Sequence, residues 1–283
     1  MALFNRNTQG ADGAEMSFID HLEALRWHII RSVIAVVVGA ILIFVYAKEV
    51  VSIIVLGPAR NDFPVYSALC NFGRKLHIGD ALCMGDFTVK FQSNAMTEQF
   101  MTTFTIAFVG GFIVAFPYVF WELWRFVRPA LSKNEIKKTR GIIFWVSMLF
   151  FMGVAFGYFI LTPFMVNFYS NYSLSPLIEF KPTLSDYIEN LIYTTVGIGV
   201  LFQMPLLIMF LSRIGLVSPT FLKKYRRHAF VVILIAAAII TPSTDPFSLT
   251  LVTIPLYALF EASVVLSKRV YKKREADEKR EWS

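Results

Sequence analysis

Imidazole is the side chain best suited to proton transfer and metal ligation near neutral pH, and this chain has four: His21, His28, His77 and His228. None belongs to an HExxH or other close ligand pair. His21 and His28 lie seven apart on one helix face, but a second haem ligand would have to come from another segment. No GxSxG, P-loop or GxGxxG is present, so nucleophilic and nucleotide chemistry have no local signature. Polar residues inside long apolar stretches carry more weight, because a buried amide or carboxylate is costly unless it is partnered. Glu122 lies beside Trp121, Trp124 and Arg125, the pattern of an interfacial anchor with a charge pair. Gln203 either caps carbonyls freed by Pro205 or faces a partner helix. Glu261, about two turns before Lys268, snorkels or pairs with a basic residue. Ser132-Lys133-Asn134-Glu135 reads as a helix N-cap with an acid at the third position, and Glu135 is the one acid in a loop with six basic residues.

The elements that hold these residues are long apolar stretches: Trp27–Ala47, Thr102–Trp124, Gly141–Met165, Leu191–Leu211, Ala229–Thr241 and Phe247–Leu266. Most reach the roughly 20 residues needed to cross about 30 Å of hydrocarbon. Basic residues collect in every second gap: Arg6, Arg26 and Arg31 at the N-terminus, Arg125 to Arg140 in the second gap, Arg213 to Arg227 in the fourth, and Lys268 to Arg280 in the tail. Short Lys/Arg-rich loops stay cytoplasmic, so six helices place both termini in the cytoplasm. The expected fold is an all-α integral membrane protein of six transmembrane helices. It is a single unit over 1–283, with a cytoplasmic N-terminal segment 1–26, a six-helix region 27–266 and a basic tail 267–283.

Composition agrees with that reading: 56% hydrophobic residues, 17% charged and a mean hydropathy of +0.58, where a soluble domain carries about 25% charged residues. The net charge of +7 is distributed beside the spans, which fits anionic lipid headgroups and not nucleic acid. The first fifteen residues are polar and no small-residue cleavage site follows the first apolar run, so that run is expected to be a retained span. Outer segments are expected at about Lys48–Met101, Thr162–Glu189 and Pro242–Pro246. Cys70 and Cys83, the two cysteines, share the first of these. An oxidising compartment permits a disulfide between them, and the alternative is two unpaired thiols in one loop.

Ala229–Thr241 spans only about 20 Å as a helix, which implies local bilayer thinning or snorkelling Arg and Lys. Pro117, Pro163, Pro205 and Pro255 are expected to kink their helices. Gly153 and Gly157 form a GxxxG that favours close packing within the bundle. Together these features suggest a concave bundle with short fifth and sixth helices.

The blocks of residues then match a family. His21-Leu22-Glu23-Ala24-Leu25-Arg26 resembles the HLxELR signature of TatC proteins, the core subunits of the twin-arginine protein translocase. Phe116-Pro117 and Trp124-Arg125-Phe126-Val127-Arg128-Pro129-Ala130-Leu131 resemble the FP and W-x-F-x-x-P-A-L blocks of that family, and Lys133-Asn134-Glu135 follows where it places a base and an acid. Thr241-Pro242, Asp245, Phe247-Ser248, Ile254-Pro255 and Phe260-Glu261 resemble its last hairpin. The resemblance runs from about 17 to 270. It implies a non-enzymatic receptor in the bacterial inner membrane that recognises twin-Arg signal peptides of folded cargo. It also implies assembly with single-span TatA/TatB-type subunits into a multimeric complex driven by the proton-motive force, with no cofactor or metal. Carried over by position, Glu135, Phe126, Glu23 and Arg26 would bind the signal peptide. Gln203, Thr241 and Thr250 would meet partner helices. The fourth motif position, usually Glu, is Ala24 here, and a one-residue shift turns a helical side chain by about 100°, so Glu23 cannot simply replace it. A six-helix secondary transporter for a small solute is the alternative, but mid-span acids for proton coupling are sparse.

Overall fold

The computed structural model describes residues 18–75, 77, 83, 89–127, 141–173, 175, 177, 181–213, 215–241 and 246–281. Seven main helices follow: α1 Phe18–Val45, α2 Pro64–Lys75, α3 Glu98–Val127, α4 Ile142–Asn171, α5 Leu184–Ser212, α6 Arg226–Ile240 and α7 Pro246–Glu281. Among the described residues the extended structure is limited to an isolated bridge between Gln92 and Thr183. Five helices are long and apolar enough to cross a membrane: α1 from Leu22, α3, α4, α5 and the Ser248–Lys272 part of α7. The sixth apolar stretch is α6, whose 15 residues rise about 22 Å.

Helix ends follow local chemistry. Glu98 at the start of α3 accepts from the Asn94 N–H of the preceding turn at 2.7 Å, which fixes the chain's entry into the helix. Thr183 caps α5 through the Asp186 N–H at 3.1 Å, and Ser218 caps the short helix Pro219–Lys224 through Phe221 N–H. Pro117 and Pro255 lie within uninterrupted helices. Near Pro163 the winding of α4 widens to a π-turn over Gly157–Leu161, a local adjustment common where a helix loses a donor. Ahead of Pro205, α5 is interrupted at Phe202–Gln203.

Two expectations give way. The sixth helix is not short: α7 has 36 residues, because the tail after Leu266 is rich in Lys, Arg, Glu and Ala, which favour helix. The outer segment does not begin as loop at Lys48. Helical winding continues through Ala47–Glu49, the π-helix Val50–Val55 and the 3-10 turn Gly57–Ala59, since the apolar run extends to Leu56. The turn at Pro242–Pro246 falls mostly outside the described residues.

The outer segments form a core of their own, which the sequence reading did not anticipate. Val55, Ala59, Tyr66, Ile106, Met165, Val166, Tyr187, Ile188 and Leu191 are buried together. Tyr187 donates to Val55 O at 2.7 Å and Tyr158 to Ile54 O at 2.6 Å, while the Tyr66 hydroxyl donates to Pro58 O. Burial pushes the Tyr66 phenol above its ordinary range, so it remains a donor. A disulfide joins Cys70 of α2 to Cys83. A second core joins α5, α6 and α7 around Ile198, Phe202, Ile233, Ala237, Val252 and Leu256.

Close backbone approach sets the remaining packing. A methyl built on Gly153 would lie 2.9 Å from Gly199 Cα, and one on Gly157 would overlap the Thr194 carbonyl. The GxxxG pair therefore seats α4 against α5. Gly39 and Gly111 do the same for α1 and α3: a methyl on Gly39 would sit 3.0 Å from Gly111 O, and one on Gly111 would overlap the Ala40 backbone.

Candidate functional site

The inner ends of α1 and α3 bring the N-terminal motif to the second conserved-type block. Glu23 and Arg26 are exposed on the first turns of α1, and Phe126 is half-buried at the end of α3. Glu122, one turn before Phe126, is only 1% exposed. Its Oε2 lies 2.5 Å from His28 Nδ1, while Oε1 accepts from the Tyr118 hydroxyl at 3.1 Å and lies 3.5 Å from an Arg125 guanidinium nitrogen. The Arg125 guanidinium also stacks over Trp121, 4.9 Å from the ring centroid, an arrangement that favours the cation. The His28 ring meets Phe126 edge-on at 6.2 Å.

This buried cluster is what residue-by-residue reading missed. Glu122 was read with its helical neighbours as an interfacial anchor, and Arg125 is indeed close. The shorter contact comes from His28, 94 residues away in sequence. The available signal is modest: His28, beside Arg31, near the start of the first apolar stretch, and Glu122 near the end of the second.

The partner-contact candidates are scattered. Gln203 sits at the interruption of α5, where its Nε2 is 3.4 Å from Val146 O of α4 and 3.5 Å from Gly199 O. Its Oε1 is buried without a hydrogen-bond partner among the described residues. The amide thus bridges α5 to α4, and one acceptor is left over. Thr241 is buried and its hydroxyl donates to Ala237 O at 2.9 Å, within its own helix. Thr250 is exposed and donates to Pro246 O at 2.6 Å. Glu261 is paired with Arg226 at 2.7 Å, joining α7 to the start of α6. Glu135, with its loop, lies outside the described residues. Among the described residues, no group of three or more His, Cys, Asp or Glu side chains could hold a metal ion. An open apolar groove lies at the same end of the bundle, lined by Leu123, Trp124 and Val127 of α3, Ile142 of α4 and Leu206 and Phe210 of α5.

The fold and the His28–Glu122 cluster define a polytopic helical membrane protein whose inter-helix segments form a packed core at the opposite end. The family model described as Sec-independent protein translocase protein (TatC) matches residues 20–255. A TatC protein of Blattabacterium sp. subsp. Periplaneta americana is 40% identical over 92% of this chain and 98% of its own length. One of Deinococcus radiodurans is 32% identical over 90% of this chain and 87% of its own length, and TatCy of Bacillus subtilis is 31% identical over 92% and 91%. The crystal structure of the twin-arginine translocase receptor TatC in DDM aligns with a TM-score of 0.68 at 27% identity, covering 87% of this chain and 99% of that one. The chain belongs to the TatC family.

Proposed function

We propose that this protein is the TatC-type receptor of a twin-arginine translocase, with its signal-peptide site on the inner face between the N-terminal motif and the loop that follows α3. The core-subunit role follows from family membership, and the observation that carries it is the match over residues 20–255, which includes the whole N-terminal motif from His21 to Arg26 and the block from Phe126 to Glu135. Six helices cross the bacterial inner membrane with both termini cytoplasmic, as the Lys/Arg distribution requires. Glu135 receives an arginine of the pair as a carboxylate acceptor, since guanidinium binds carboxylate as a bidentate fork, and Glu23, displaced by one residue from the usual motif acid, is the next acid on that face. Arg26 and Phe126 flank them. Gln203, with its unused Oε1, and the exposed Thr250 are the polar positions offered to single-span TatA/TatB-type partners. Thr241 contributes shape there, because its donor is already engaged. The role is one of recognition and scaffolding, not catalysis, with transport powered by the proton-motive force.

The test is the affinity of a twin-Arg signal peptide for detergent-solubilised protein. Loss of one charge-assisted hydrogen bond, worth roughly 1.5–3 kcal/mol, weakens binding by about one to two orders of magnitude in Glu135→Ala. Glu135→Gln is nearly as harmful, because the amide loses charge and bidentate geometry. Wild-type affinity in Glu135→Ala removes that residue from the site. Retained affinity in Gln with lowered protein levels in Ala assigns it to helix capping.

A further inference from the structure

We infer that His28 and Glu122 form a positioning clamp that holds the two halves of the signal-peptide site in register, an assignment that rests on the receptor reading above. Helices α1 and α3 run antiparallel, with Phe44 against Phe104 toward the outer side, Gly39 against Gly111 midway and His28 against Glu122 at the inner end. Eleven residues separate His28 from Gly39, and eleven separate Gly111 from Glu122, about 16 Å of helix on each side. The two helices are therefore joined at matched heights by a close glycine contact and by a hydrogen bond between the His28 imidazole and the buried Glu122 carboxylate. The glycine contact alone lets the inner ends pivot about it. The second attachment fixes their separation and rotation.

What lies beyond that second attachment is the receptor face. Glu23 is five residues before His28, about 8 Å along α1, and Phe126 is one turn beyond Glu122. Among the described contacts of the Glu122 carboxylate, Tyr118 and Arg125 come from its own helix and His28 alone comes from another. The polar tie of that carboxylate to α1 thus runs through one imidazole. Thermodynamic stability does not require it. Desolvating a carboxylate and its polar partner offsets most of their attraction, and a well-packed apolar pair in their place is often as stable or more so. A directional hydrogen bond in an otherwise apolar helix contact is better suited to setting register than to adding stability.

That distinction gives the experiment. The cysteines of the described chain are consumed in the disulfide, so spin labels placed at Leu22→Cys and Leu123→Cys, both exposed positions, report the separation of the inner ends in the otherwise intact protein. The double variant His28→Leu/Glu122→Leu is compared with the parent and with His28→Arg, which keeps a donor facing Glu122. The clamp predicts an unchanged or higher unfolding temperature in the double variant, a broadened inner-end distance distribution, and twin-Arg peptide affinity lowered about tenfold, the equivalent of one charge-assisted contact. It predicts a narrow distribution and affinity within a few fold of the parent in His28→Arg. A narrow distribution in the double variant overturns the clamp, as does a broad one with parental affinity. An unfolded double variant beside a folded His28→Arg shows that the pair supplies stability and overturns it equally. Parental affinity in Glu135→Ala instead overturns the reading of the peptide site, and it leaves the distance measurement unaffected.

Discussion

The outer and inner ends of this protein are built on opposite plans. At the outer end, many polar groups are consumed internally, although Asn167 Nδ2 and Ser170 Oγ are buried without a hydrogen-bond partner among the described residues. Glu98 ties the start of α3 to α5 through Ser185 N–H at 3.1 Å, and Gln92 exchanges backbone bonds with Pro182 and Leu184. Buried tyrosines donate to the chain that links α1 to α2, and a disulfide closes α2. At the inner end, Glu23 and Arg26 remain exposed, an apolar groove stays open, and the described ties between helices include the His28–Glu122 hydrogen bond and the Arg226–Glu261 ion pair. An end knit together by hydrogen bonds, a disulfide and its own apolar core is a cap. An end that leaves charges and apolar surface unmet is arranged to bind something.

Substitutions at the two ends separate these plans. The largest effect is expected at the inner end from His28→Leu alone, which leaves the Glu122 carboxylate buried with only the same-helix groups Tyr118 and Arg125. Breaking one side of a buried pair costs about 3 kcal/mol or more, read as a lowered unfolding midpoint in detergent. Restoration of that midpoint in His28→Leu/Glu122→Leu confirms that the uncompensated charge, and not lost packing, is the cause. At the outer end, Cys70→Ser with Cys83→Ser removes a bridge that closes a short loop and costs about 3 kcal/mol or slightly less in the chain-entropy model. Peptide affinity in the surviving folded protein stays at the parental value, since the cap is remote from the receptor face. Loss of affinity there would erase the division between the ends.

Two smaller effects sharpen the comparison between them. Gly157→Ala forces a methyl into the Thr194 carbonyl and costs about 1–3 kcal/mol through overpacking, again read by unfolding. Gln203→Leu is expected to change stability by less than about 1 kcal/mol, because a weakly bonded amide with an orphaned acceptor gives way to an apolar group of similar size. Recovery of single-span partners with the solubilised complex should nevertheless fall. Unchanged recovery would confine Gln203 to its bridge between α4 and α5.

Much of this was legible in the sequence for physical reasons. Five of the six apolar stretches form long helices because each carries about 20 predominantly apolar residues, and Gly153 and Gly157 pack as their spacing implies. The cysteine pair formed the bridge that one loop allowed. What the sequence hid depends on contacts between distant segments. The outer core needs Val55, Tyr66 and Tyr187 from three elements, each unremarked alone. The Gly39–Gly111 contact has no local motif. Glu122 looked complete with Arg125 three residues away, and only the antiparallel pairing of α1 with α3 brings His28 closer. Gln203 was left between capping and partner contact, and its geometry combines an internal bond with an unused acceptor.

Photocrosslinking at one position on each end tests the account most directly. A photoreactive side chain at Asn134, beside Glu135, should capture a twin-Arg signal peptide and fail to capture the same peptide with paired lysines. The same side chain at His77, on the outer segment after α2, should capture neither. Capture of the twin-Arg peptide at His77, or equal capture of both peptides at Asn134, would contradict an arginine-reading receptor on the inner face.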